Sequence, residues 1–478
     1  MKLPALPFVL ALSLGLAGCG SGEEPAVTDA DRAAGAEAHP QLLAEFGGRY
    51  DGDERQYLMR VGEQVAGQAG LDGQCTFTLV NSDVVNAFAV PGCYIYITRG
   101  LMALVNSEAE LAAVLSHELG HVVARHSQRQ QGRSFWRSLG VVAVQLVTGS
   151  ERLTQIAGAA AGLFTLRYSR KHEYEADDLG LRYLRQSGYD PFASVDMLEA
   201  LARQERFIVQ TRGRDEARSI PEWARTHPLT TNRMDRARDA AAKFGIARGA
   251  LPEKEIEYLA EVDGLLYGDD PEQGFVSGRS FAHPVMRIAF EAPEGFTLTN
   301  SPQAILIEGP GGMRGEFAGG RLPPGGLGVY TSALLQQVLN GAQLEVSDVR
   351  QARVNGLPAL FTRGNVQLGG NNLRLAIGAY GAGQAAYHFI LLSSPEAPPA
   401  AIDELLQSFR LVSQEEAATL RPRVIDSVRA TARDSVSSLA ARMAGENKLA
   451  HFLMLNGRDA NQAIRPGEPV KLVVYSSR

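Results

Sequence analysis

The pentapeptide His117-Glu118-Leu119-Gly120-His121 constrains the fold of this chain more than any other stretch. Histidines four apart project from one face of an α-helix and reach a single ion together, while the intervening glutamate lies toward the side from which a water would attack. The flanks support a helix. Ser107-Glu108-Ala109-Glu110 reads as a capping box, and Leu111, Ala112, Val114, Leu115, Leu119 and Val122 recur at helical spacing. His117 then sits mid-helix, and a second element must pack against that face to complete the coordination.

A catalytic zinc takes three protein ligands and one water, so two imidazoles leave the site one ligand short. Downstream, Ser169-Arg170-Lys171-His172-Glu173-Tyr174-Glu175-Ala176-Asp177 forms a second helix. On it Glu173 and Asp177 share a face, while Glu175 points elsewhere. Spacing alone leaves both Glu173 and His172 open as the third ligand.

Further motifs surround these two helices. They are Asn86-Ala87-Phe88-Ala89 with Pro91-Gly92, Thr98-Arg99-Gly100, Glu110-Leu111, Arg125-His126, Ser169-Arg170, the Glu173-x-x-x-Asp177 spacing, and Thr226-His227-Pro228 followed by Arg233. Together they resemble the HtpX-like and CAAX-prenyl-endopeptidase-like zinc metallopeptidases, within them the soluble periplasmic lipoprotein branch, over about residues 40–245. The resemblance implies one zinc ion per chain held by His117, His121 and Glu173. Glu118 is then the base that takes a proton from the attacking water and later gives it to the leaving amine. Asp177 would orient a ligand imidazole by hydrogen bond, in company with Arg233. His227 would either stabilise the oxyanion or reach the zinc as a further ligand and hold the enzyme latent. The strand at Asn86, Ala87, Phe88 and Ala89 would pair with an extended substrate backbone. A glycine is commoner in the family where this chain has Cys93, which bears on the local turn. His126 and His172 are assigned structural roles, and residues 207–223 a lid over the cleft.

Beyond this region the chain divides further. Residues 1–18 carry Lys2, an apolar run at 8–16 and Leu16-Ala17-Gly18 ahead of Cys19, the pattern of a secretory leader. Leu-Ala-Gly-Cys resembles the bacterial lipobox, which implies a lipid anchor on Cys19, and Gly20 favours the outer membrane of the periplasm. Residues 19–40 hold few large apolar side chains and read as a flexible tether. The peptidase-like domain occupies 41–247. Its apolar runs at 139–147 and 156–166 are too short to span a bilayer and read as core helices. Cys75 and Cys93 precede β-like runs at 76–80 and 94–98. They form either a disulfide, as an oxidising compartment permits, or two small buried thiols.

Residues 248–280, rich in Pro, Gly and acidic side chains, read as a linker that holds a short helix. Alternating runs at 286–292, 304–308, 359–362, 373–380 and 387–393, with a helix at 400–409, then predict an α+β domain over 281–415. This part faintly resembles a PsbP/Mog-like sandwich at Ala292-Pro293-Glu294-Gly295-Phe296. Residues 420–478 resemble a βααβ LysM-like module, which implies an affinity for peptidoglycan, although the usual Gly-Asp-Thr opening is absent. The expected whole is multidomain: a mainly α zincin-type peptidase domain with a small β-sheet, an α+β domain and the small module. With a net charge of −6 spread over interspersed residues, the chain carries no electrostatic footprint for nucleic acid. The expected activity is zinc-dependent hydrolysis of unfolded or misassembled envelope proteins. The alternatives are a chaperone-like binding protein with a latent zinc site, a peptidoglycan-associated factor, or a zinc hydrolase of cell-wall peptides.

Overall fold

The structure, a computed structural model, describes residues 26–129, 168–212, 223, 226–228, 231–339, 342–368 and 370–477. The leader, Cys19 and the apolar runs at 139–147 and 156–166 lie outside the described residues. The chain enters the fold earlier than composition implies. Helix α1 (Asp29–Glu45) is capped by Thr28, whose hydroxyl accepts from the Asp31 amide while the Asp31 carboxylate accepts from Thr28. Its Ala38 and Leu42, with Phe46, pack on Phe88, Val90 and Tyr96. The tether reading of 19–40 is therefore overturned from residue 28 onward. Small residues bury surface here by close approach: a Cβ on Gly35 would stand 2.2 Å from the Pro91 carbonyl oxygen.

The next elements are helix α2 (Glu54–Gln68), strands β1 (Thr76–Val80), β2 (Ala87–Val90) and β3 (Tyr94–Thr98), and helices α3 (Arg99–Leu104), α4 (Glu108–Val123) and α5 (His126–Arg129). Helices α6 (Arg170–Gln186), α7 (Ala193–Arg212) and α8 (Thr231–Ala242) follow. The sheet order is β1-β3-β2, with β1 parallel and β2 antiparallel to β3, so β2 forms one edge. Cys75 and Cys93 are joined by a disulfide at the start of the two parallel strands. Cys93 adopts φ 59°, the left-handed backbone that a glycine takes without cost, which accounts for the commoner glycine there.

Residues 248–280 are less of a linker than their composition suggests. They hold helix α9 (Glu255–Glu261) and strands β4 (Leu266–Tyr267) and β5 (Phe275–Ser277), and β5 pairs with β6 (Ser280–His283) to open the α+β unit before residue 281. That unit continues through β7 (Ile288–Glu291), β8 (Thr297–Asn300), β9 (Ile305–Gly309), β10 (Met313–Arg321), helix α10 (Leu327–Leu339), β11 (Leu344–Val354), β12 (Leu357–Leu368), β13 (Asn371–Ala382), β14 (Ala385–Ser393), helix α11 (Pro399–Ser408) and β15 (Arg410–Leu411). It forms a seven-stranded sheet of order β11-β12-β13-β14-β10-β9-β8 and a four-stranded sheet of order β15-β7-β6-β5. Leu334 and Val338 of α10 pack with Val366, Leu375 and Ile390 of the larger sheet. Ile402, Leu405 and Leu406 of α11 join Phe361, Tyr380 and Phe389.

Helix α12 (Gln414–Thr419) leads into β16 (Arg423–Arg429), α13 (Val436–Ala441), α14 (Lys448–Leu455) and β17 (Pro469–Tyr475), a βααβ unit with antiparallel β16 and β17. Its other neighbour is β4, which pairs with β16 and stitches the unit to the segment before the α+β domain. Ile425, Leu439, Phe452 and Leu472 share one buried cluster with Leu101, Leu115 and Leu198 of the peptidase-like region. The Lys471 ammonium is buried there and donates to the carbonyls of Ala103 (2.6 Å), Leu104 (3.1 Å) and Val105 (2.8 Å) at the C-terminal end of α3. A cation at that end meets the negative pole of the helix. No helix among the described residues is long and apolar enough to cross a membrane.

Candidate metal centre

Helix α4 begins as its sequence predicts, with one difference. The Ser107 hydroxyl accepts from the Glu110 amide (3.1 Å), but the Glu110 carboxylate accepts from the amide of Asn106 (3.0 Å), one residue outside the cap. The helix then runs through the core, and His117, Glu118 and His121 are all buried. Helix α6 crosses it at close range. Cβ atoms added to Gly120 and Gly180 would stand 2.7 Å from the Ala176 carbonyl oxygen and 3.0 Å from the His117 nitrogen. The two glycines let the backbones meet, and this approach brings Glu173, near the start of α6, to the two histidines.

The ligand atoms converge. His117 Nε2 lies 3.1 Å from His121 Nε2, and Glu173 Oε1 lies 3.5 Å from His121 Nε2. His227 joins them, with Nδ1 3.2 Å from His117 Nε2 and 3.0 Å from Glu173 Oε1. One ligand atom from each of these four residues lies within 4.8 Å of the others, all four being buried. Three imidazole nitrogens and a carboxylate oxygen match the donors a zinc ion takes. At the edge of this group the Glu118 carboxylate is fully buried, with neither oxygen hydrogen-bonded, and the ring of His227 stands 3.7 Å from it. That is a poor resting state for a carboxylate unless a cation or a water shares the space.

Behind the ligands runs a charged frame. Asp177 Oδ1 lies 3.0 Å from His117 Nδ1, and Arg233 holds Asp177 through two contacts at 2.7 and 2.8 Å while reaching Glu173 Oε2 at 2.7 Å. Burial works against the Asp177 charge, yet Arg233 and His117 bring its carboxyl down to about 2. Glu173 is likewise held well below its ordinary value, because the charges of His227 and Arg233 outweigh burial. Burial pushes Glu118 up, only partly offset by His227 and His117. His121 is held well below its ordinary value by burial. For His227 burial lowers but Glu173 and Glu118 raise, and the net direction is up. A divalent cation among them adds positive charge that favours neutral imidazoles and ionised carboxylates.

The structure thus brings together His117, Glu118, His121, Glu173, Asp177, His227 and Arg233. Asn86 stands at the start of edge strand β2, fully buried, with no hydrogen-bond partner for either atom of its side-chain amide. Ala87, Phe88 and Ala89 follow on the strand itself. His172, left open by spacing as a third ligand, is not among the converging residues, and its ring stacks on His126 at 4.4 Å. Glu175 is also outside that group, its carboxylate reaching His126 Nε2 at 3.3 Å and Arg129 at 3.1 Å. Of the lid at 207–223, residues 207–212 belong to α7 and Trp223 is buried on the site, its ring 4.2 Å from that of His227; residues 213–222 lie outside the described ones. Trp223, and Tyr168 stacked 4.0 Å from His121, were not found by sequence reasoning because a lone aromatic carries no spacing signal. Gly180 within an otherwise regular helical pattern was the signal available for the close helix crossing.

Replacing Gly120 by Ala is expected to weaken zinc binding by about tenfold or more, because the helices must separate and outer contacts of this kind govern affinity to that degree. Chelator competition against the wild type measures it.

Two histidines and a glutamate from crossing helices, with a second glutamate beside the first histidine, form a candidate metal site of the His-Glu-x-x-His pattern. Residues 53–241 match the model of Peptidase family M48. Among relatives, the chain is similar to the beta-barrel assembly-enhancing protease of Yersinia pestis, 31% identical over 202 residues that cover 40% of each protein. It is also similar to the mitochondrial metalloendopeptidase OMA1 of Arabidopsis thaliana, 36% identical over 126 residues, 26% of this chain and 25% of that one. The chain spans about two fifths of the length of the first of these and about a quarter of the second. Of solved structures, cyanobacterial PsbP from Synechocystis is matched over 30% of this chain and 98% of its own, with 13% identity and a TM-score of 0.24.

Proposed function

We propose that the chain is a zinc metalloendopeptidase of the bacterial envelope that hydrolyses unfolded or misassembled proteins. The observation that carries this reading is the convergence of His117, His121 and Glu173 beside the buried carboxylate of Glu118, which makes no hydrogen bond. A zinc ion held by the three would supply Lewis acidity toward a peptide carbonyl and make a water easier to deprotonate. Glu118 takes the proton and returns it to the departing amine, and a carboxyl raised by burial is suited to both transfers. Asp177 keeps the proton of His117 on Nδ1 and its lone pair on Nε2, and Arg233 fixes Asp177 and Glu173 together. Strand β2, at the edge of its sheet though its residues are buried, and the side-chain amide of Asn86, which makes no hydrogen bond, are the candidate partners for an extended substrate backbone, which binds with little demand on side-chain identity. Misfolded polypeptides fit that demand, and the Yersinia relative is a beta-barrel assembly-enhancing protease. Casein cleavage that is abolished by 1,10-phenanthroline and restored by zinc supports this function; zinc binding without cleavage of any unfolded protein favours a chaperone-like role.

His227 occupies the position of a fourth donor, and we read it as a latch over the metal, with Trp223 stacked behind it. His227→Ala is expected to cleave casein several-fold faster than wild type. A loss of about 10²–10³-fold would assign the imidazole to the oxyanion instead, and an unchanged rate would remove both roles. Anchoring of Cys19 to the outer membrane remains part of the proposal and is tested by metabolic labelling with a fatty acid. The βααβ unit shares its core with the peptidase domain, which favours a structural role over glycan binding. Retention of the full chain on purified sacculi would reverse that assignment.

A further inference from the structure

His126 follows His121 by five residues, a spacing that does not share a helix face. The chain nevertheless returns it to the ligand. Helix α4 ends at Val123, Arg125 takes the left-handed backbone (φ 54°), and α5 starts at His126. The result is a fully buried contact of 2.9 Å between His126 Nδ1 and His121 Nδ1. Two lone pairs cannot face each other at that distance, so one nitrogen carries the proton. His121 Nε2 faces the other ligand atoms and must present a lone pair to a metal, which leaves its single proton on Nδ1, donated to His126. The proton of His126 is then on Nε2, donated to Glu175 at 3.3 Å, and Arg129 holds that carboxylate at 3.1 and 3.3 Å. Both imidazole donors in the series point away from the metal.

We propose that His126 is a positioning residue for the zinc ligand His121, part of a relay His121–His126–Glu175–Arg129 that sets the ligand's tautomer and ring orientation. The other ligand imidazole has the shorter version, His117–Asp177–Arg233, in which a carboxylate accepts directly. An imidazole thus takes the place of the carboxylate behind one ligand and passes the demand for an anion to the surface, where Glu175 is partly exposed. The inference rests on the proposed zinc site and goes beyond it.

The test is zinc affinity of the full chain, measured by chelator competition with zinc itself for wild type, His126→Leu, His126→Gln and Glu175→Ala, beside the melting temperature of each metal-free protein. Glutamine can accept with its oxygen and donate with its nitrogen, whereas leucine only fills the space. His126→Leu is expected to lose about 10–100-fold in affinity, Glu175→Ala a smaller factor, and His126→Gln to recover most of the loss. Equal affinity for wild type and His126→Leu would overturn the relay. So would equal losses for Leu and Gln that follow the metal-free melting temperature, since that result means packing alone. If wild type itself binds no zinc, the reading of the centre fails first, and the two failures are distinguishable.

Discussion

Glu118→Gln is expected to lose casein cleavage by about 10²–10⁴-fold, the contribution of a placed general base, while zinc content stays at the wild-type level. The amide keeps the size and polarity of the side chain, so neither the packing around α4 nor the three ligands change. Only the capacity to accept and return a proton disappears. The burial of this carboxylate without a hydrogen bond is what makes the prediction sharp. A structural glutamate would have hydrogen-bond partners to lose, and its replacement would show as lowered stability. Here the expected pattern is lost turnover, retained metal and an unchanged melting temperature.

The second large effect is expected far from the metal. Lys471→Met should destabilise the peptidase domain by about 3–5 kcal/mol, the usual consequence of removing one partner from a buried charged arrangement. Three carbonyls at the end of α3 lose their donor at once. Glu110, at the start of α4, also loses a compensating charge. Burial pushes Glu110 up and Lys471 down, and each attracts the other's charged form. Because α4 carries His117, Glu118 and His121, this strand residue of the C-terminal unit reaches the first turn of the catalytic helix. In a thermal melt the loss corresponds to a fall of at least about 6 °C in Tm for a domain of this size. A Tm within about 2 °C of wild type would mean that the C-terminal unit and the peptidase domain are energetically independent.

How much of this was readable in advance depends on the range over which each signal acts. The His117 to His121 pentapeptide and its capping serine are local, and their helix lies where periodicity puts it. Strands β1 and β3 likewise have the limits their apolar runs suggest. The choice between Glu173 and His172 was not local. It depends on which face of α6 meets α4, and that is decided by Gly120 and Gly180 at the crossing. Composition misjudged residues 28–40 because α1 buries small side chains closely instead of large ones. Lys471 reads as a solvent-facing position in an alternating strand, and no one-dimensional pattern reveals that a helix end lies opposite it. The two-residue strand β4 is too short to leave a periodic signal, although it joins the C-terminal unit to the rest. The helix wheel of α6 puts Glu175 off the metal-facing side, but its partner there is not local: the left-handed turn at Arg125 brings His126 to meet it.

The central claim is that one divalent ion, held by two histidines and a glutamate, works with Glu118 to cut peptide bonds. Metal analysis of the purified full chain and of Glu118→Gln, coupled to casein cleavage by both before and after chelation, tests it most directly. About one zinc per chain is expected in both proteins, with cleavage by the wild type alone, loss on chelation and recovery when zinc is returned. Cleavage by the metal-free chain, or by Glu118→Gln at the wild-type rate, would contradict it.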